Sequence, residues 1–142
     1  MTPLLPTPFN RLYDETMTLL LEARVYAQHR VTQRHSHHEP AIVGLRSSCD
    51  ALRLTTRLAN VMAWVLAQHA VAAGEIENDH TMRTHYALDA DAEENDALRA
   101  KTSDPWLGKL LDRSHKLYYR VARIDQGLRE PTPVSFQTRT LQ

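Results

Sequence analysis

The fold is decided by residues 49–73, CDALRLTTRLANVMAWVLAQHAVAA, which contain neither proline nor glycine. Alanine and leucine, the commonest residues of this stretch, are good helix formers. Gly74 follows directly and can adopt the left-handed backbone conformation that ends a helix. The stretch therefore predicts a long second helix that begins between Ala41 and Ser48, and we place this helix at 42–73.

One face of this helix differs from the rest of its circumference. At 100° per residue, one set of side chains falls within about 80°, namely Arg46, Asp50, Arg53, Arg57, Asn60, Trp64 and Gln68. The remaining arc of about 200° is apolar or small, whereas a helix needs a stripe of roughly 100° to cover a core from one side. We therefore expect the helix either to lie at the centre of its bundle or to share a face with a second subunit.

Two further helices are predicted on either side of the central one. Thr7 can cap the first helix, with Pro8 at its first position, and apolar residues then recur at helical spacing over 8–34. Asp104 followed by Pro105 gives the same start signal for a third helix, which we place at 105–128. The composition and these signals predict an all-α protein, an antiparallel three-helix bundle.

The chain has 142 residues, and its 17 basic residues balance 17 acidic ones. This length predicts a single domain, 1–142. Cys49 is the only cysteine, which excludes an intramolecular disulfide and favours a reducing compartment. The N-terminal residues lack the regions of a signal peptide, and the apolar run 58–73 is too short and too polar to span a membrane. We therefore expect a cytoplasmic protein without a membrane partner.

Sequence motifs for catalysis and for cofactor binding are absent. The four glycines are too far apart for a Gly-x-Gly-x-x-Gly or Walker-type loop, and neither Gly-x-Ser-x-Gly nor His-Glu-x-x-His occurs. Cys49 lies beside the apolar arc of the second helix, where we interpret it as a small buried residue without reactivity. We therefore expect a protein that is not an enzyme and needs no cofactor.

A cluster of potential metal ligands lies between the first two helices. Imidazole and carboxylate groups suit zinc or nickel, and the cluster consists of His35, His37, His38 and Glu39. Adjacent histidines on a connector do not easily point at one ion, so we favour a solvated connector over a metal site.

An acidic segment separates the second and third helices. Residues 75–103 contain eight acidic residues against three basic ones, and we expect a long mobile loop, with a short helix at 89–101 as an option. A second mobile segment is expected at 131–142. The loop acids that we select as candidate contacts are Glu75, Glu77, Asp89, Asp91, Glu93, Glu94 and Asp96.

Two sets of residues are candidates for partner binding. Basic side chains spaced four, three, four and three apart form a line along the third helix, namely Lys109, Arg113, Lys116, Arg120 and Arg123. Such a line can be a solvated face, can follow a phosphate backbone, or can be covered by the acidic loop 75–103, which would then compete with a partner for it. On the second helix, Trp64 near Arg53 and Arg57 has the composition of an interaction hot spot, or Trp64 is covered as core.

Three segments carry a resemblance to a known family. Residues 52–58, LRLTTRL, followed by Ala63-Trp64-Val65-Leu66 and by Ala72-Ala73-Gly74-Glu75-Ile76, resemble the alphaproteobacterial family called regulator of CtrA degradation. Residues 9–17, FNRLYDETM, and 117–125, LYYRVARID, are similar to the first and third helices of that family.

The resemblance implies a three-helix bundle that forms a homodimer and acts as an adaptor for the ClpXP protease. In that role the adaptor joins protease that a response-regulator-like protein has primed, and it helps to deliver cell-cycle regulators such as CtrA. The partners implied are thus ClpX, the primer and the cargo regulators. The alternative function is a small helical regulator that binds nucleic acid along the basic line of the third helix, from Lys109 to Arg123.

Overall fold

The computed structural model describes residues 7–34, 40–89 and 104–129. These residues form four α-helices, α1 (Thr7–Arg34), α2 (Ala41–Ala72), α3 (His80–His85) and α4 (Pro105–Arg129). Their fold confirms the predicted all-α bundle. The histidine cluster at 35–39, the acids at 91, 93, 94 and 96, the optional helix beyond residue 89 and the segment 131–142 lie outside the described residues.

Local signals fix the ends of the long helices. Gly74 has a φ of +74°, and its N–H donates to the carbonyl of Val71 at 3.1 Å, which ends α2. At the start of α4, Oδ1 of Asp104 accepts hydrogen bonds from the backbone N–H of Trp106 at 3.0 Å and of Leu107 at 3.4 Å. The helices extend within one or two residues of the predicted ranges.

The directions of the helices follow from which residues meet. Glu22 of α1 pairs with Arg113, and Tyr26, one turn later in α1, donates to Asp104 at 2.7 Å, so α1 and α4 are antiparallel. Because the 28 residues of α1 extend about 42 Å and residues 35–40 can reach at most about 25 Å, α2 must also return antiparallel to α1. The helices α2 and α4 consequently run in the same direction, so the antiparallel expectation holds only for pairs that include α1.

The parallel pairing of α2 and α4 explains the length of the connection between them. The end of α2 and the start of α4 lie at opposite ends of the bundle, so residues 73–104 have to bring the chain back along it. The predicted loop at 75–103 is not wholly irregular, since α3 lies within it. Asp79 caps α3 by accepting from the N–H of Met82 at 2.8 Å, and the Met82 side chain is buried. The sequence analysis missed α3 because six residues are too few to show a helical period.

The core lies between the three long helices, and α2 contributes more of its fully buried apolar side chains than either of the other two. The largest fully buried apolar side chains are leucines, valines and one tryptophan, contributed by Leu19 of α1, by Leu54, Leu58, Val61, Trp64 and Val65 of α2, and by Leu107, Leu110, Leu117 and Val121 of α4. Leu88, from the connection after α3, joins the same cluster. This arrangement leaves the opposite face of α2 uncovered, and that face forms part of the candidate site.

Candidate interaction surfaces

Trp64 occupies the core rather than the surface. Its side chain is fully buried, its ring packs on Phe9 at a centroid distance of 5.8 Å, and its Nε1–H donates to Oδ1 of Asp125 at 2.9 Å. Of the two alternatives for Trp64, the buried one is therefore correct. A tryptophan can take this position because the carboxylate of Asp125 satisfies the polar end of its ring.

Asp125 connects three parts of the chain. Besides the bond from Trp64, its Oδ2 accepts the backbone N–H of Leu88 at 3.1 Å and pairs with Nε of Arg129 at 3.2 Å. Nearby, the Tyr118 hydroxyl accepts the backbone N–H of Asp89 at 3.1 Å. Because hydrogen bonds to an ionised acceptor are the stronger ones, Asp125 holds the chain at Leu88 against α4.

Arg57 also points inward, and its side chain is buried. Its Nη1 donates to the carbonyl oxygen of Leu111 at 3.3 Å and to the Ser114 hydroxyl at 3.4 Å. Asp50 lies two turns earlier on the same face. It is buried as well, and it pairs with Arg53 at 3.3 Å. Of the residues that the helical wheel gathers on one side of α2, Asp50, Arg57 and Trp64 are thus buried, whereas Arg46 and Asn60 are exposed. Neither Arg57 nor Trp64 is available for a surface contact in this conformation.

The opposite face of α2 is an exposed apolar strip, which we call the outer seam. Its members recur at alternating steps of three and four residues and are all exposed, and they are Ile42, Leu45, Cys49, Leu52, Thr56, Ala59, Ala63 and Leu66. Leu45 is 65% exposed and Leu52 is 68% exposed. A 3–4 repeat of this kind is the pattern with which one helix packs along another. Cys49 lies in the seam and is exposed, so the expectation that it is buried is wrong.

An open groove lies beside the first half of the outer seam, between α2 and α4. Its volume is about 350 Å³, and it is lined by Cys49, Leu52, Arg53, Thr56, Arg57, Asn60 and Tyr118. Leu52 and the Tyr118 ring supply apolar walls, and two guanidinium groups supply positive charge. Arg53 remains partly exposed at the rim, whereas Arg57 lies deeper. The groove therefore combines an apolar lining with a cationic one.

The basic side chains of α4 are largely paired with acidic side chains of the same chain, on its surface. Arg113 pairs with Glu22 of α1 at 2.6 Å, and Arg120 pairs with Glu15 of the same helix. Lys116 pairs with Asp112 at 3.0 Å, and the guanidinium of Arg123 lies 5.8 Å from the ring centroid of Tyr119. Lys109 is exposed near the start of the line. Because α1 places carboxylates beside these basic side chains, the basic line of α4 presents less net positive charge to a phosphate backbone than the sequence suggested.

The other candidate residues do not come together to form a site in the part of the chain that the structure describes. Glu75, Glu77 and Asp89 are exposed and follow α2 and α3 without forming one cluster. Within residues 7–34, 40–89 and 104–129, no three potential ligands come together to hold a metal ion. None of the helices in these ranges is both long and apolar enough to cross a bilayer.

Sequence reasoning missed the two most informative features of this surface. The outer seam could have been found as a 3–4 repeat starting at Ile42, but it was merged into the wide apolar arc of α2. Asp125 follows Tyr118 and Val121 at helical spacing and therefore lies on the buried face of α4. That spacing was the available signal that this carboxylate would need a buried partner.

A helical bundle with an exposed seam of this pattern and an adjoining groove has the features of a protein-interaction module. The chain belongs to the family described as "Protein of unknown function (DUF1465)", whose profile matches residues 3–141. RcdA from Caulobacter crescentus CB15, known from a crystal structure, is similar to it at 30% sequence identity with a TM-score of 0.64. The match covers 88% of this chain and 93% of the RcdA chain, and no curated protein matches. These findings confirm the resemblance that residues 52–58 indicated.

Proposed function

We propose that this protein is a protease adaptor, which brings cell-cycle regulators of the CtrA type to primed ClpXP in the cytoplasm without catalysing a reaction itself. The similarity to RcdA over most of both chains carries the proposal. The exposed seam and the groove support it, because large apolar side chains that repeat along an exposed helix are typical of surfaces that bind another protein.

The proposed mechanism is an increase in local concentration. An adaptor that holds cargo and protease together makes their encounter effectively intramolecular, which can raise overall avidity by about 10²–10⁴. In this chain the candidate regions for the two contacts are the outer seam with its groove, the acidic sequence 75–103 and the sequence 131–142. Arg53, Lys109 and the other exposed members of the basic line are further candidate contacts.

Reconstituted proteolysis tests this proposal. Purified ClpX, ClpP, a response-regulator-like primer and a CtrA-like substrate are mixed with and without this protein, and loss of the substrate is followed over time. We expect the protein to accelerate degradation. The informative variant replaces Asp91, Glu93, Glu94 and Asp96 by their amides, which keeps the chain length and removes four charges. A substrate half-life that does not change when the wild-type protein is added contradicts the proposal.

Homodimer formation through the outer seam is part of the same proposal. The second half of the seam carries Ala59 and Ala63, whose small side chains let two helices approach closely, and Leu66, which is half exposed. Sedimentation equilibrium of wild type and of Leu66→Glu tests it. We expect the wild-type protein to associate and the variant to sediment as a monomer. Leu21→Glu is the matched control, because Leu21 is similarly exposed on α1. Equal association of all three proteins contradicts the role of the seam.

A further inference from the structure

The first half of the outer seam has a different chemistry from the second. Ile42, Leu45 and Leu52 are large, exposed and apolar, and the groove opens beside Leu52. Leu45 and Leu52 are seven residues apart, which is a distance of about 10.5 Å along the helix axis. This half of the seam therefore presents an elongated apolar ridge that continues past the groove.

Positive charge runs along one side of this ridge. Arg46 and Arg53 directly follow Leu45 and Leu52 and are likewise seven residues apart, so they lie on the same edge. Arg46 is exposed, and Arg53 is partly exposed at the rim of the groove. The only acidic residue of α2 is Asp50, which is buried on the inner face. The exposed surface of this half of α2 is consequently cationic as well as apolar.

The basic line of α4 provides a comparison within the same molecule. There, Glu15 and Glu22 of α1 lie opposite Arg120 and Arg113, so the charges are balanced by another helix of the chain. Arg53 forms an ion pair with Asp50 of the same helix at 3.3 Å. The edge of the outer seam thus presents the guanidinium groups of Arg46 and Arg53 next to the exposed side chains of Leu45 and Leu52.

The charge and the shape of this half of the seam together indicate which kind of molecule binds there. A second copy that packed its own α2 here would bring no exposed carboxylate, since Asp50 is turned inward. A compact anion would fit the groove but would leave Leu45 and Ile42 in water. An amphipathic helix matches both features when apolar residues repeat along one face and acidic residues follow on one edge.

Building on the proposed function, we propose that the groove and the ridge beside it, from Leu45 to Thr56, bind an acidic amphipathic helix of a protein partner. Leu52 and Tyr118 receive the apolar side chains of that helix. Arg46 and Arg53 pair with its carboxylates and fix its direction along α2.

Cys49 gives a direct measurement of occupancy, because it lines the groove and is the only cysteine in the chain. The probe is a synthetic helical peptide with leucines at alternating steps of three and four and glutamates along one edge. A second peptide carries glutamine in place of each glutamate. The rate of alkylation of Cys49 is measured as each peptide is titrated into the full-length protein, together with the binding isotherm at low and at high salt.

We expect the acidic peptide to slow alkylation of Cys49 and the glutamine peptide to do so only at higher concentration. The double variant Arg46→Gln with Arg53→Gln should weaken binding of the acidic peptide about fivefold and reduce its salt dependence. Arg24→Gln, which removes an exposed arginine of α1, is the matched control and should bind like wild type. Circular dichroism verifies that each variant is folded.

Two results overturn the inference. One is equal affinity of the acidic peptide for wild type and for the double variant. The other is that Cys49 becomes more protected from alkylation as the concentration of the protein alone rises, and that peptide adds no further protection. This result assigns the first half of the seam to a second copy of the chain. Peptide binding needs no protease, so binding without acceleration of proteolysis refutes the proposed function and leaves the site standing. Acceleration of proteolysis without peptide binding refutes the site alone.

Discussion

The two faces of α2 reverse the usual distribution of side chains. The inner face buries Asp50 and Arg57 beside leucine and valine, whereas the outer face exposes Leu45 and Leu52. Buried polar groups are tolerated where they have hydrogen-bond partners, and Arg57 finds such partners on α4. The difference teaches that the inner face determines how α2 packs in its own bundle, while the outer face takes no part in that packing.

The largest expected effect lies on the inner face, at Trp64. Trp64→Ala removes a fully buried ring and leaves Asp125 without one of its donors, so we expect the free energy of unfolding to fall by about 3–5 kcal/mol. Urea denaturation followed by circular dichroism measures it. Trp106→Ala is the matched control, because Trp106 is partly exposed at the start of α4, and it should cost clearly less. Equal losses for the two tryptophans would contradict the assignment of Trp64 to the core.

Two leucines of α2 test the contrast between its faces most directly. Leu58 is fully buried and Leu52 is 68% exposed on the same helix. Leu58→Ala should lower the free energy of unfolding by about 2–5 kcal/mol, and Leu52→Ala should change it by no more than about 0.5 kcal/mol. Both values come from denaturant midpoints at a protein concentration low enough to dissociate dimers. A large loss of monomer stability in Leu52→Ala would mean that the outer face is covered within the monomer.

A smaller effect is expected at the connection between α2 and α4. Asp125→Asn replaces one carboxylate oxygen by an N–H₂ group, which cannot accept a hydrogen bond, so the side chain can no longer accept from both Trp64 and Leu88 through separate oxygens. We expect a loss of about 1–3 kcal/mol and faster hydrogen exchange at the Leu88 amide. Exchange by nuclear magnetic resonance resolves this amide, and the amides in the middle of α1 serve as the internal reference. Unchanged protection of Leu88 would show that Asp125 does not hold this segment.

The smallest effect is expected at the ion pairs between α1 and α4. Glu22 and Arg113 are both about half exposed, so Glu22→Gln should cost less than about 1 kcal/mol and less again in high salt. The same substitution uncovers positive charge on α4. If an oligonucleotide then bound with steep salt dependence where the wild type did not, the acids of α1 would be identified as the groups that suppress nucleic-acid binding.

Most of the secondary structure could be predicted from the sequence, because its signals are local. Gly74 and the Asp104-Pro105 pair mark helix ends through the conformations that these residues themselves prefer. The candidate site was predicted only in part. The basic line of α4 was identified, but its pairing with Glu15 and Glu22 depends on which helix lies beside it. Cys49 was assigned to the interior because its helical neighbours are apolar, although the interior is on the other side.

The sequence by itself determined that the protein is helical and where its long helices lie, since helix formation depends on residues within one or two turns. Only the tertiary structure decided which face of α2 is buried and that α4 runs parallel to α2. Both outcomes depend on partners distant in sequence, such as Trp64 and Asp125, which are 61 residues apart. A helical wheel places Trp64 on a face, but only the folded bundle brings the Asp125 carboxylate to its N–H, and this contact allows the ring to be buried without an unsatisfied donor.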